Sequence, residues 1–193
     1  MKQRENAMCC MDIDSKIIRE MGDLDFFSKK KQISIIAVNV KQVEDYAFNS
    51  CAWLEKVHFT NASYIGLDAF AYCTALKSVF FPEVCDISSG TFQGCISLES
   101  AYFAKLHVVG AYMFLNCTKL RIVHMPNLKE ICSFAFANCY SLEVCYFPQV
   151  KNIHPEAFRN CVNLKRLYVS RDCDIERLKR RINLPDSVEI VHA

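Results

Sequence analysis

Phe-x-x-Cys-x-x-Leu occurs six times in this chain in one unbroken register. The cysteines are Cys51, Cys73, Cys95, Cys117, Cys139 and Cys161, each 22 residues after the last. Three positions before them stand Phe48, Phe70, Phe92, Phe114, Phe136 and Phe158, and three after stand Leu54, Leu76, Leu98, Leu120, Leu142 and Leu164. A fixed period of this length is the signature of a solenoid, in which each coil buries its apolar face against its neighbours. The pattern therefore predicts stacked columns: equivalent side chains from successive coils lying on one another.

Composition limits what such a stack does. The net charge is +2 over 193 residues, so no general pull towards nucleic acid or anionic lipid follows. No apolar run reaches the length that spans a bilayer. Residues 1–11 carry Lys2, Arg4 and Glu5 without an apolar run, so no secretory signal is read there. Half of the 12 cysteines follow the repeat among apolar neighbours, which suits small reduced thiols in a core better than a disulfide framework. With that, an intracellular location is favoured, and the cell surface is the alternative. No partner is implied for a hydroxyl at Cys95, so serine there is expected to bury an unpaired polar group.

Within each repeat two parts are read. Leu54, Val57 and Phe59, repeated as Leu76, Val79 and Phe81, end in the in-out alternation of a strand. Pro82, Pro126 and Pro148 follow directly and help to end it. Ile65, Ala69, Phe70 and Cys73, repeated as Ile131, Ala135, Phe136 and Cys139, share one face of a short helix. The predicted architecture is an α/β solenoid. A parallel β-sheet forms its concave face and short helices its convex face, with about six full 22-residue repeats plus degenerate caps. Residues 1–42 are read as an N-terminal tail and capping repeat, with Asp14 and Ser15 capping a short helix through Ile17, Ile18 and Met21. Residues 43–170 are the repeats. Residues 171–193 are a C-terminal cap, with a helix over 174–182 and a strand over 188–191.

The run Phe81-Pro82-x-Val84-x-x-Ile87-x-x-x-Thr91-Phe92-x-x-Cys95-x-x-Leu98 resembles the BspA-like (Treponema-type) leucine-rich repeat family. The likeness extends over about two thirds of the chain. Thr60, Ala104 and Ser170 replace the usual proline, and Thr91 and Met113 the usual alanine. The resemblance implies a leucine-rich repeat fold, a binding role and no catalysis.

Stacking turns two further columns into surfaces. The outward strand position holds His58, Phe80, Tyr102, His124, Tyr146 and Tyr168, a ring in every full repeat. On the concave sheet these rings are expected to form one exposed stripe, the candidate partner-binding surface. The plainer alternative is that the rings only stack on each other and cover the sheet. Three positions earlier, Glu55, Lys77, Glu99, Arg121, Glu143 and Lys165 alternate in sign, an arrangement suited to holding register.

Catalytic and metal chemistry find no support in the pattern. His58 and His124 lie three repeats apart, the periodic cysteines belong to the opposite, packed side, and no C-x-x-C occurs. With 5 glycines there is no phosphate loop. No cofactor, metal ligand or catalytic residue is assigned, and the chain is read as a non-enzyme. The functional expectation is a scaffold that binds a protein or peptide through the ring stripe. A structural spacer of a surface or adhesion protein, or glycan binding by the same rings, are the alternatives.

Overall fold

A computed structural model describes residues 10–11, 17–18, 33–182, 184–185 and 187–193. The period-2 stretches form strands wherever Leu, Val and Phe alternate with polar or ring residues, and the strands of successive coils pair in parallel. Six of them make one sheet in chain order: Cys10–Met11, Ile33–Ala37, Leu54–Phe59, Ser78–Phe80, Ser100–Tyr102 and Ile122–His124. The same face resumes with Val144–Tyr146, Arg166–Val169 and Glu189–His192. Register follows the sequence period: Val57 lies beside Val79 and Val79 beside Ala101, while His58, Phe80, Tyr102 and His124 align in one row. In this row a slip by one residue would turn every buried side chain to water.

A second set of parallel strands, two residues each, was not expected from the sequence. It comprises Ile17–Ile18, Gln42–Val43, Tyr64–Ile65 and Asp86–Ile87, then Val108–Val109, Glu130–Ile131 and Asn152–Ile153. Ile65 and Ile131, whose spacing suggested a helix, belong to these strands with their side chains buried. Ile17 and Ile18 likewise lie in a strand, beside Gln42 and Val43. Asp14, Ser15 and Met21 fall outside the described residues.

The predicted convex helices are hydrogen-bonded turns instead. Two columns of residues take positive φ: Tyr46, Asp68, Gly90, Tyr112 and Phe134 in one; Ser50, Tyr72, Gly94, Asn116, Asn138 and Asn160 in the other. A left-handed residue every fourth position cannot continue an α-helix. It alternates the direction of successive N–H groups. The N–H groups of Asp68, Phe70 and Tyr72 reach across to the carbonyls of Ser89, Thr91 and Gln93 on the next coil, at 3.2, 2.9 and 2.7 Å. Between them, those of Ala71 and Cys73 close back on Asp68 and Phe70 of their own turn, at 3.1 and 3.3 Å. The same interleaving recurs coil after coil, so the turn face is a second hydrogen-bonded wall. Gly90, Gly94, Asp68, Asn116, Asn138 and Asn160 are of types that tolerate positive φ, whereas Tyr46, Tyr72, Tyr112 and Phe134 are held there by the stacked turns. The Asn116, Asn138 and Asn160 amides form a ladder, with Asn138 donating to Asn116 at 2.6 Å and Asn160 to Asn138 at 2.8 Å. Glycine is required at Gly66, where an added Cβ would fall against the backbone of Glu44 and Asp45 on the preceding coil. A Cβ at Gly90 would strike the Asp68 carboxylate, and one at Gly94 the Tyr72 ring.

Between the walls the apolar columns close-pack. Phe48, Phe70, Phe92, Phe114, Phe136 and Phe158 stack face to face, with centroids 4.9, 5.4, 5.6, 5.3 and 5.2 Å apart. Phe59, Phe81 and Phe103 form a second buried file beside them. The cysteine column is buried and unbridged, and from Cys73 onward each of its thiols has a defined partner. The S–H groups of Cys73, Cys95, Cys117, Cys139 and Cys161 donate to the carbonyls of Phe48, Phe70, Phe92, Phe114 and Phe136 on the coil before, at 3.0–3.2 Å. Each of those carbonyls also accepts the N–H of its own coil's cysteine, as Phe48 does from Cys51 at 3.1 Å. This corrects the reading of Cys95 as a site without a hydrogen-bond partner. Burial pushes the thiol of Cys51 up to about 11 and those of Cys95 and Cys161 up to about 12.

At the C-terminus Asp174 caps the helix Ile175–Arg181, accepting the Arg177 N–H at 2.9 Å. Leu178 and Ile182 press this helix onto the end of the core. The chain then returns as Glu189–His192, in parallel register with Arg166–Val169.

Phe92 touches Phe70, Phe81, Phe103 and Phe114. Phe92→Ala is therefore expected to cost about 3–5 kcal/mol in urea unfolding. A Cys95→Ser hydroxyl can donate to the Phe70 carbonyl, so that change should cost only about 1 kcal/mol. A loss well above that would mean the hydroxyl goes unpaired. The fold favours the protonated thiols. Their contribution is intact below the ordinary value of 9.0 and is lost as pH rises from there through about 11–12. The urea midpoint should accordingly fall steeply over that alkaline window. Replacing Cys51, Cys95 and Cys161 with alanine should flatten the fall.

Candidate interaction face

The candidate face is built by strand alternation. In each long strand one residue points into the core, and the next, which carries the ring, points to solvent. His58, Phe80, Tyr102 and Tyr168 are half-buried; His124 and Tyr146 are exposed. Four of the rings make one stack. His58 lies 4.3 Å from Phe80, Phe80 4.6 Å from Tyr102, and Tyr102 4.9 Å from His124, the last two pairs nearly parallel at 12° and 7°. Tyr146 and Tyr168 form a separate pair, tilted at 55° with centroids 5.4 Å apart. Among the described residues no ring contact joins His124 to Tyr146, and the strands beneath them, Ile122–His124 and Val144–Tyr146, do not pair. The expected single stripe is thus two stacks with a break.

Along the ring row, the break is also where apolar surface is most open. Ile122 is 65 % exposed, Tyr146 55 % and Val144 48 %. Within the four-ring stack the faces are consumed by one another, so the edges point outward. The row continues beyond the predicted column. Ile36 pairs with His58 at one end, and Val191 with Tyr168 at the other. Neither is a ring, and this hid them from a search for aromatic periodicity.

Beside the rings, the alternating charges meet at two of the five steps. Lys77 bonds Glu55 and Lys165 bonds Glu143, both at 2.7 Å. The Glu55 carboxylate raises the Lys77 ammonium above its ordinary value, and the Lys165 ammonium lowers the Glu143 carboxyl. Arg166 leans over the Tyr168 ring, its guanidinium 5.9 Å from the centroid, while bonding Glu189 at 2.7 Å.

The stacking also brings one thiol and one imidazole together. Cys132 and His154 occupy the same position of adjacent coils and line one cleft on the short-strand flank. Burial and the nearby Glu130 carboxylate push the Cys132 thiol up, opposite to what an activated nucleophile needs. His154 Nδ1 accepts the Glu156 N–H at 3.2 Å, and no bond joins the ring to the thiol. No group of three or more potential metal ligands clusters among the described residues. None of their helices is long and apolar enough to cross a membrane.

Comparison with known proteins agrees with this geometry. A family model described as a BspA type leucine-rich repeat region matches in six copies, over residues 12–120, 41–165 and 85–189. No curated protein sequence matches. A leucine-rich cell surface protein from Faecalibacterium prausnitzii superposes with a TM-score of 0.63 at 24% identity, covering 81% of this chain and 43% of that one. A leucine-rich repeat protein from Eubacterium ventriosum gives 0.64 at 24% identity, covering 86% and 42%. The Treponema pallidum leucine-rich repeat protein gives 0.53 at 24% identity, covering 91% and 77%. The chain thus spans less than half the length of the first two. These likenesses share the coil and its stacking, and the six matched copies run through nearly every coil described above. The chain belongs to the BspA-type leucine-rich repeat family.

Proposed function

We propose that this chain is a scaffold for a protein or peptide partner, which it engages through His58, Phe80, Tyr102, His124, Tyr146 and Tyr168. The observation that carries this reading is the open apolar group at the break in the ring row. Ile122, Val144 and Tyr146 are each about half exposed or more, side by side on neighbouring strands. Exposed apolar surface of this kind marks an interaction site, and aromatic anchors supply much of the energy at such sites. A spacer would keep its sheet equally well with polar side chains at these outward positions. Sugar binding draws on free ring faces, and the stack from His58 to His124 has turned those faces towards one another. A partner that offers aliphatic and aromatic side chains to ring edges and to Ile122 and Val144 suits the surface better. The relative from Faecalibacterium prausnitzii is described as a cell surface protein. A partner-binding sheet on this chain would serve in that setting as readily as inside a cell.

Selection of a displayed peptide library on the wild-type chain tests the reading. Enriched peptides should lose at least tenfold in affinity for the triple variant Phe80→Ala, Tyr102→Ala, Tyr146→Ala, while its circular dichroism stays that of the wild type. Peptides that bind the folded variant as tightly as the parent would place the binding surface elsewhere.

A further inference from the structure

Three adjoining clefts, of about 260, 480 and 520 Å³, lie along the short-strand flank where the C-terminal helix meets it. All three share Asn152 in their walls. Arg177 and Arg181 line the first, Arg181 also lines the second, and Lys129 lines the third. The charges here are unequally committed. Lys151 bonds the Asp172 carboxylate at 2.8 Å, and Asp174 caps the helix through the Arg177 N–H. Lys179 takes Glu176 at 3.6 Å. Among the described residues the guanidinium groups of Arg177 and Arg181 and the ammonium of Lys129 make no such contact. Of the carboxylates in the three clefts, Asp172 and Asp174 are engaged as described, and Glu130 shares its cleft with Arg181. The helix itself, Ile175–Arg181, carries four basic residues and one acid in a chain whose net charge is only +2.

We propose that this flank is a second binding site, separate from the ring row, for an acidic peptide segment in extended conformation. Arg177 and Arg181 stand one turn apart on the helix, which sets their side chains about 5–6 Å apart at the base. Alternate residues of an extended strand are spaced about 6–7 Å apart on one side. An Asp/Glu-x-Asp/Glu segment therefore offers two carboxylates to the two guanidinium groups, each able to accept a forked pair of hydrogen bonds. A peptide fits better than a nucleic acid strand. The clefts intersperse Glu130, Asp172 and Asp174 among the bases, which a continuous phosphate backbone would meet, and they offer no aromatic platform beyond His154.

Fluorescence anisotropy with a labelled peptide of alternating glutamate and serine tests this on the full chain at low salt. The wild type should bind it and not the lysine–serine counterpart, with affinity falling as salt rises. Arg177→Glu with Arg181→Glu should weaken binding at least tenfold at an unchanged melting midpoint. Lys41→Glu with Lys119→Glu, the same charge change elsewhere on the surface, should stay within twofold. Should the reversed variant fail to fold, Arg177→Gln with Arg181→Gln removes the same two charges and should also weaken binding. Equal binding by the folded Arg177/Arg181 variant overturns the site, as does an equal loss in the control, which would mean bulk charge alone. A single-stranded oligonucleotide that binds more tightly than the peptide, and loses affinity in the same variant, would overturn the choice of occupant.

Discussion

The backbone carbonyl of the phenylalanine column is the joint on which this solenoid turns. It accepts the N–H of the cysteine three residues on and the S–H of the cysteine one coil further along. One acceptor thus ties a turn to itself and to its neighbour, deep in a water-free core where an unpaired polar group is costly. Cysteine suits the position because it fills an apolar gap and still carries a weak donor. Alanine would leave the second lone pair unserved. The stacked phenylalanine rings fix the rise between coils, and the thiol–carbonyl bond fixes which coil sits over which.

Everything on the surface inherits that registration. Outward strand positions become rows, so a ring at one place in the repeat becomes a stack in space, and a charge that alternates from repeat to repeat becomes a pair. The frame also explains why the surface is uneven. Along the ring row, contacts run from His58 to His124 and resume at Tyr146, and the strands beneath lose their pairing at the same step. The turn wall holds without interruption there. Phe114 still donates to Ala135 at 2.8 Å, and Cys139 to the Phe114 carbonyl. The coils stay bound on their packed side while their outer sheet opens.

What was legible in the sequence is what repeats with one residue type. Phe, Cys and Leu columns, the strand alternation and the outward rings all come from side-chain identity at fixed spacing. The turn face was misread as helix because Ile65, Ala69, Phe70 and Cys73 have spacings that a helix and a wound turn share. The distinguishing signal was the column Ser50, Tyr72, Gly94, Asn116, Asn138, Asn160, rich in residues that tolerate positive φ, which hydrophobic periodicity passes over. The thiol bonds were hidden because their partner is backbone, which no side chain announces. The break at His124 and Tyr146 is a loss of strand pairing between two coils, and equal spacing in sequence carries no record of it. The flank clefts arise where a helix outside the repeat meets the repeat, so no single period describes them.

The central claim is that the six periodic thiols are sealed in the core by stacked coils. Native-state alkylation with iodoacetamide, read site by site by mass spectrometry, tests it most directly, because Cys85 lies exposed in the same molecule as an internal standard. Sealed thiols predict that Cys85 is modified promptly while Cys73, Cys95, Cys117 and Cys139 remain unmodified until denaturant is added. Modification of those four at the rate of Cys85 in the native protein would contradict it.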